Sequence, residues 1–342
     1  MGSLSGRKIA LIGGAGFIGH NLAIKLKSLG AEVSIVDSLA VNNYHSFVDK
    51  RDMIPNAGLY LKIIEQRLNM LQENHIRLFE DDARDYFKLS EILEQLNIDT
   101  IVHLAAVSHA AESNKDPYST FDHNLRTLEN ALDNARSASL NVKHFIYFSS
   151  SMVYGNFPTG SVTEETPCNP LGIYGALKFA GEKLVIAYNQ VFDMPYTIVR
   201  PSALYGPRCV SRRVGQVFIE NAMRGLDISV NGDGSDRLDF TNIEDLTSGI
   251  VNVMESPNSI NQIFNLTYGE SRSIGQLATI LKEHFPEIQI RYLPKDKLTP
   301  DRGTLGVDKA REMIGYSPNH PLEEGFVNYI KWYKDQWSNL IG

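Results

Sequence analysis

Cysteine is nearly missing from this chain: Cys168 and Cys209 are the only two in 342 residues. Two thiols cannot build a disulfide framework or a cysteine zinc cluster, so no metal site is predicted, and a reducing compartment fits. No uninterrupted apolar run reaches the length needed to cross a bilayer, and no basic stretch leads into an apolar one. Neither a membrane span nor a secretory signal is therefore predicted. Positive charge is also in deficit, with 33 Lys and Arg against 40 Asp and Glu, a formal net charge of −7. Such a chain is a poor non-specific binder of nucleic acid, and any anionic ligand must be met by local cations. Internal repeats and low-complexity segments are not visible either. The expectation is a soluble, cytoplasmic protein with neither nucleic acid nor membrane as partner. An apolar fraction of 43% supports a sizeable core, and the length exceeds that of one ordinary domain.

The stretch Ser149 to Lys178 carries the chemistry. It reads Ser149-Ser150-Ser151-Met152-Val153-Tyr154-Gly155, then a polar loop, then Tyr174-Gly175-Ala176-Leu177-Lys178. A helix after Pro170 would stack Tyr174 and Lys178 on one face, where an ammonium can lower the pKa of a phenol. Free tyrosine titrates near about 10, so a base at neutral pH needs roughly 4 kcal/mol of preferential phenolate stabilisation. A serine at the end of the preceding strand would return across the sheet and donate to the same substrate oxygen. Tyr-x-x-x-Lys also occurs by chance in many helices, so its company decides.

That company begins at the N-terminus. Lys8 to Ile12 is a short apolar run, followed at once by Gly13-Gly14-Ala15-Gly16-Phe17-Ile18-Gly19 and an amphipathic pattern ending at Gly30. Strand, glycine turn and helix are the context of a dinucleotide-binding fold, with the helix N-terminus facing the pyrophosphate. The next strand, Glu32 to Val36, ends in Asp37, where a carboxylate would bind the adenosine ribose diol and repel a 2′-phosphate. NAD is therefore predicted over NADP. Residues 38 to 60 read as irregular, and the helical segment Leu59 to Asn74 reads either as an insertion over the cofactor or as a long crossover. After the strand Ile76 to Phe79, an acid in the cluster Glu80 to Asp85 can accept from the adenine amino group, while Asp85 can equally cap the next helix. Ile98 to Leu104 is a strand ending in the small-residue turn Ala105-Ala106, which lets backbone lie against a cofactor. His103 reads as a packed strand residue, and His109 is left unassigned.

Helices Pro117 to Ser137 and Gly172 to Gln190 flank the strand His144 to Ser149 and can pair with copies of themselves across a two-fold axis, giving a homodimer. The strand Tyr196 to Arg200 completes an alternation that argues for an α/β fold with a Rossmann-type, doubly wound parallel sheet. Residues 1–200 are expected to form the NAD-binding part. Residues 201–342, with shorter and less regular elements, read as a smaller mixed α/β substrate lobe, with room for the chain to cross back.

In order and spacing, Gly13 to Gly19, His103-Leu104-Ala105-Ala106, Ser149 to Gly155, Tyr174 to Lys178 and Arg200-Pro201-Ser202-Ala203-Leu204-Tyr205-Gly206-Pro207-Arg208 resemble the extended short-chain dehydrogenase/reductase family. Within it, the chain is similar to the NAD-dependent nucleotide-sugar epimerases and dehydratases. The resemblance implies Ser150, Tyr174 and Lys178 as catalytic residues, with Tyr174 the base and Lys178 on the nicotinamide ribose. It places Phe17, Ile18, Leu104, Ala105 and Ala106 along the cofactor, Asp82 and Ala83 near adenine, and Asn124 behind the nicotinamide site. Ser108, Ser150 and Met152 would face the substrate, a nucleotide-diphosphate sugar.

Three departures matter. The 4,6-dehydratases carry an Asp-Glu pair after the catalytic Ser/Thr, where this chain has Ser151 and Met152, and Met152 cannot move a proton. Ala203 stands where the family often has Asn. Leu238 replaces a phosphate-binding Arg, with Arg237 one residue earlier and therefore on the opposite face of a regular strand. Arg208 and Arg302 are the other candidates for the diphosphate, and surface solvation is the plain alternative for all three. The reading is an NAD-dependent nucleotide-sugar epimerase, most simply acting at C4. A dehydrogenase, ketoreductase or dehydratase of the same family is the nearest alternative, and a non-catalytic NAD sensor is a further one.

Overall fold

The computed structural model describes residues 2–49, 51–108, 110–158, 160–295 and 300–341. Seven parallel strands form the central sheet: β1 (Lys8–Ile12), β2 (Glu32–Val36), β3 (Arg77–Phe79), β4 (Thr100–His103), β5 (His144–Phe148), β6 (Tyr196–Arg200) and β7 (Gln262–Asn265). Their spatial order is β7-β6-β5-β4-β1-β2-β3. The order reverses between β1 and β4, and this opens a crevice at the carboxyl ends of those strands. All residues of β4, β5 and β6 are buried, as expected of strands covered by helices on both faces.

Helix Phe17–Ser28 packs on one face through Leu22 and Leu26, both fully buried. Burying each such side chain is worth roughly 1.5–3 kcal/mol. The opposite face is covered by Tyr86–Leu96, Thr127–Ala135 and Gly172–Phe192. Along Gly172–Phe192 the buried positions Tyr174, Lys178, Glu182 and Val185 form one stripe at helical spacing. Gly181 lies in that stripe, and a Cβ there would stand 2.2 Å from the Tyr147 hydroxyl of β5. Only glycine lets this helix approach the sheet so closely, and the approach brings Tyr174 and Lys178 to the end of β5.

Two expectations change in detail. The predicted helix Pro117 to Ser137 is broken into Pro117–Phe121, a π-turn at Asp122–Arg126, and Thr127–Ala135. A short helix, Tyr44–Asp49, lies inside the stretch read as irregular. In the part after residue 200, helix Ile243–Glu255 packs Leu246, Ile250 and Val253 into the core shared with Leu22 and Leu26, and β7 joins the main sheet beside β6.

The remaining C-terminal elements gather around their own core of Phe218, Ile219, Leu277, Leu281, Phe326 and Tyr329. Helix Ala57–Glu73, the crossover from β2 to β3, packs through Tyr60, Ile63 and Ile64 into a cluster with Val210 and Leu340. It thereby ties the first part of the chain to the last. His109 lies outside the described residues. No described helix is long and apolar enough to cross a membrane.

Candidate active site

A cavity of about 850 Å³ runs from the glycine turn after β1 to the C-terminal elements. At the glycine-turn end its wall contains Gly13, Gly16, Phe17, Ile18, Gly19, Asp37, Asp82, Ala83, Leu104, Ala105 and Ala106. Gly13 has φ +77°, and an added Cβ would lie 2.5 Å from the Ala105 backbone nitrogen, so the two turns touch through bare backbone. The N-terminus of Phe17–Ser28 has no side-chain cap at Gly16 and no acid in its first turn. Its amide groups are thus left for an anion. Asp37 Oδ2 accepts from the Ala15 amide at 2.9 Å and Oδ1 from the Leu39 amide at 2.8 Å, which fixes the carboxylate at the tip of β2. Burial pushes its pKa up, and those two amides resist the shift. These features fit a dinucleotide with a free 2′-hydroxyl.

Asp82 is paired with Arg84 at 2.6 Å, and Arg84 reaches Asp122 at 2.8 Å. Burial opposes the Asp82 charge, but its bonds to Arg84 outweigh burial and hold the carboxyl below its usual range. Asp85 caps Tyr86–Leu96 by accepting from the Lys88 amide at 3.0 Å. Asn124 sits behind the cavity wall in the π-turn; its Oδ1 accepts from the Val107 amide at 2.7 Å, and its Nδ2 has no partner among the described residues. His103 is buried against Phe145 and bonds Thr127 Oγ1, and burial lowers its pKa to about 3, so it stays neutral.

At the other end Ser108, Ser150, Met152, Tyr174, Lys178 and Arg302 share the cavity wall. Tyr174 is 7% exposed. Burial raises its pKa, against the charges of Arg213 and Arg302 and a hydrogen bond with Ser150. Lys178 does not turn to the phenol. Its Nζ donates to the Phe148 carbonyl at 2.6 Å, over the Tyr147 ring at 5.0 Å, and burial lowers its pKa to about 7.

The arginines divide. Arg302 is half-buried in the cavity wall with Nη2 on Ser151 Oγ and Nη1 beside Met152 Sδ, while its Nε has no partner among the described residues. Arg237 is a correction to the sequence reading: it does not line the cavity. The short ladder Arg237–Leu238 with Arg272–Ser273 keeps regular alternation, so Leu238 faces the cavity and Arg237 binds Ser271 Oγ at 3.0 Å. Arg208 is a second correction. Its Nε reaches His20 Nε2 at 3.4 Å, and its carbonyl accepts from Arg67 at 2.9 Å, outside the cavity wall. The cations that do line the cavity, besides Arg302, include Arg67, Arg212 and Arg213. The adjacent Arg212-Arg213 pair ahead of helix Val214–Met223 was a visible signal for two of them.

A strand-turn-helix cradle joined to a buried Ser-Tyr-Lys cluster defines a dinucleotide-dependent enzyme that works on a carbinol or carbonyl. Comparison with known proteins agrees: residues 9–267 match the NAD dependent epimerase/dehydratase family, and the chain belongs to that family. It is 28% identical over 329 residues to an uncharacterized UDP-glucose epimerase of Bacillus subtilis, covering 95% of this chain and 97% of that one. A dTDP-glucose 4,6-dehydratase of Streptomyces niveus is 26% identical over 336 residues, covering 96% of this chain and 93% of that one. The crystal structure of UDP-glucuronic acid 4-epimerase from Bacillus cereus, in complex with UDP-glucuronic acid and NAD, superposes with a TM-score of 0.83 at 25% identity, covering 96% of this chain and 99% of that one.

Proposed function

We propose that this protein is an NAD-dependent epimerase that inverts C4 of a nucleotide-diphosphate sugar through a transient 4-keto sugar. The observation that carries the proposal is the pairing of an intact Ser150, Tyr174 and Lys178 cluster with Ser151 and Met152 at the next two positions. When bound, NAD would supply a reversible hydride acceptor and, in its oxidised form, a positive charge. Tyr174 takes the proton of the C4 hydroxyl and later returns it, while Ser150 donates to the same oxygen as charge develops there. Lys178 holds the nicotinamide ribose. Arg213 and Arg302 meet the diphosphate, and Asp37 takes the adenosine ribose diol. Eliminating water across C5 and C6 requires a further acid and base, and neither Ser151 nor Met152 is one. This favours epimerisation over dehydration, although dehydratases are among the relatives.

We also propose a cytoplasmic homodimer, with residues 1–200 as the cofactor part and 201–342 as the substrate part. The test is a panel of UDP-, GDP-, CDP- and dTDP-sugars deuterated at C4, incubated with the protein and unlabelled NAD and followed by NMR. Retained deuterium with inverted configuration is the expected result. Stoichiometric reduced cofactor carrying the deuterium, with a released keto sugar, would decide for a dehydrogenase, and a 6-deoxy-4-keto product for a dehydratase.

A further inference from the structure

Beneath Lys178 lies an ion pair that the proposed chemistry does not use. Glu182, 1% exposed, follows Lys178 by one helical turn and shares its buried stripe. Its Oε1 accepts from Ser149 Oγ at 2.5 Å and from Arg200 Nε at 2.9 Å, and its Oε2 accepts from Arg200 Nη2 at 2.7 Å. Arg200 turns Nη1 to the Tyr154 hydroxyl at 2.9 Å, and that hydroxyl donates to Asn265 Oδ1 on β7 at 2.7 Å. Three donors, two of them the fork of one guanidinium, fix this carboxylate in position.

Lys178 has no such partner. Its ammonium is 3% exposed and rests on a neutral carbonyl and a ring face. The groups around it are Tyr174 and Glu182 on its own helix, neutral His103 from β4, and Tyr147, whose pKa is raised by burial, from β5. Tyr196 and Cys168 also face Glu182, and burial raises the pKa of each. Among the described residues, Glu182 is thus the carboxylate that favours the charged lysine, against the desolvation that opposes it.

We infer that Glu182 is a positioning residue: its charge, fixed by Arg200 and Ser149, keeps the Lys178 ammonium charged and anchored on the Phe148 carbonyl. Arg200 locks the carboxylate, Glu182 sustains the ammonium, and the ammonium is thereby held at the end of β5 beside Tyr174. This rests on the role proposed for Lys178, but its test reads the lysine directly and needs no substrate.

In protein labelled with ¹⁵N-lysine, the Nζ resonance of Lys178, assigned by its loss in Lys178→Met, is titrated by NMR. The wild-type midpoint is expected near the value of about 7 that burial imposes. Removing one partner alone would strand a buried charge, so the main variant is Glu182→Gln with Arg200→Met, which removes both charges at similar volume. The Lys178 midpoint is expected to fall by about one pH unit or more, because only desolvation then acts on it. Glu182→Asp, which keeps the charge, should restore most of the difference. If the double variant does not fold, Glu182→Gln held folded with NAD carries the same expectation. In epimerase assays the high-pH limb of kcat/KM should move down with the midpoint, since activity is lost as Lys178 deprotonates. A folded variant with an unmoved Lys178 midpoint makes the pair a structural strut and overturns the inference. Failure to find any sugar substrate would count against the proposed function alone.

Discussion

Tyr174 concentrates the energetic problem of the site. Its pKa is raised by burial, so the phenol is protonated at neutral pH, and Arg213, Ser150 and Arg302 recover only part of that shift. Reaching neutrality from the ordinary value already requires about 4 kcal/mol. A buried base that ionises only when a further positive charge arrives does not act before the site is complete. Tyr174→Phe should lower kcat by roughly 10² to 10⁴, the usual loss of a general base, and leave NAD affinity within a factor of a few. A loss confined to KM, measured by steady-state kinetics, would remove Tyr174 from the base role. Asp37 carries a second prediction. With both carboxylate oxygens fixed by amides at the tip of β2, a 2′-phosphate would meet a carboxylate that cannot turn away. NAD should bind more tightly than NADP by calorimetry, and Asp37→Ala should narrow the gap. Equal affinity of the unaltered protein for the two would sink this account.

At the scale of elements, what the sequence made legible follows from how local each cause is. The glycine turn, the strands β1 to β6 and the Tyr-Lys helix are written in adjacent residues, through apolar runs, turn glycines and a stripe at helical spacing. β7 lies in the part read only as shorter, less regular elements, and its place beside β6 was not legible, because the pairing of Gln262–Asn265 with Thr197–Arg200 is a contact across the chain. The pairing strand Ile290–Leu293 was missed for a related reason: it is mostly exposed and has no buried face to impose alternation. Arg208 and Arg237 misled because a cation near a motif says nothing about its direction, whereas Leu238 beside Arg237 fixed that direction once the ladder was regular. The glycine turn supplies the prediction at this scale. In Gly13→Val a branched side chain would be forced to φ +77° with its Cβ 2.5 Å from the Ala105 amide nitrogen. The turn after β1 and the turn after β4 would be pushed apart. NAD affinity should fall at least about tenfold by calorimetry, a cost near 1.4 kcal/mol, with the melting temperature lowered as well. Unchanged NAD affinity would mean that this backbone contact does not shape the cofactor site.

For the whole molecule, the surface of the Tyr-Lys helix raises the question of assembly. The stripe Tyr174, Lys178, Glu182 and Val185 is buried, yet the rest of the same helix is far from polar: Leu177, Ala180, Leu184 and Tyr188 are half-buried, and Ala176 and Ala187 are exposed. Near its ends Leu171 is 40% exposed and Val191 69%. On the neighbouring Pro117–Phe121 segment, Tyr118 is 86% exposed and Phe121 51%. Apolar surface gathered on two adjacent helices is the composition of an interface, and small residues such as Ala176, Ala180 and Ala187 let another helix approach closely. A two-fold axis beside the helix would bring it against its own copy, because an isologous contact presents the same patch on both sides. Light scattering at micromolar concentration should therefore give twice the chain mass. Ala180→Glu together with Ala187→Glu should reduce it to a monomer, by placing like charges against each other across the axis. The same substitutions leave the buried stripe intact, so the monomer should keep NAD binding. Its kcat should fall only to the extent that the partner steadies Tyr174 and Lys178 through their shared helix. A wild-type protein that scatters as a monomer would show that this apolar face has no copy of itself as partner.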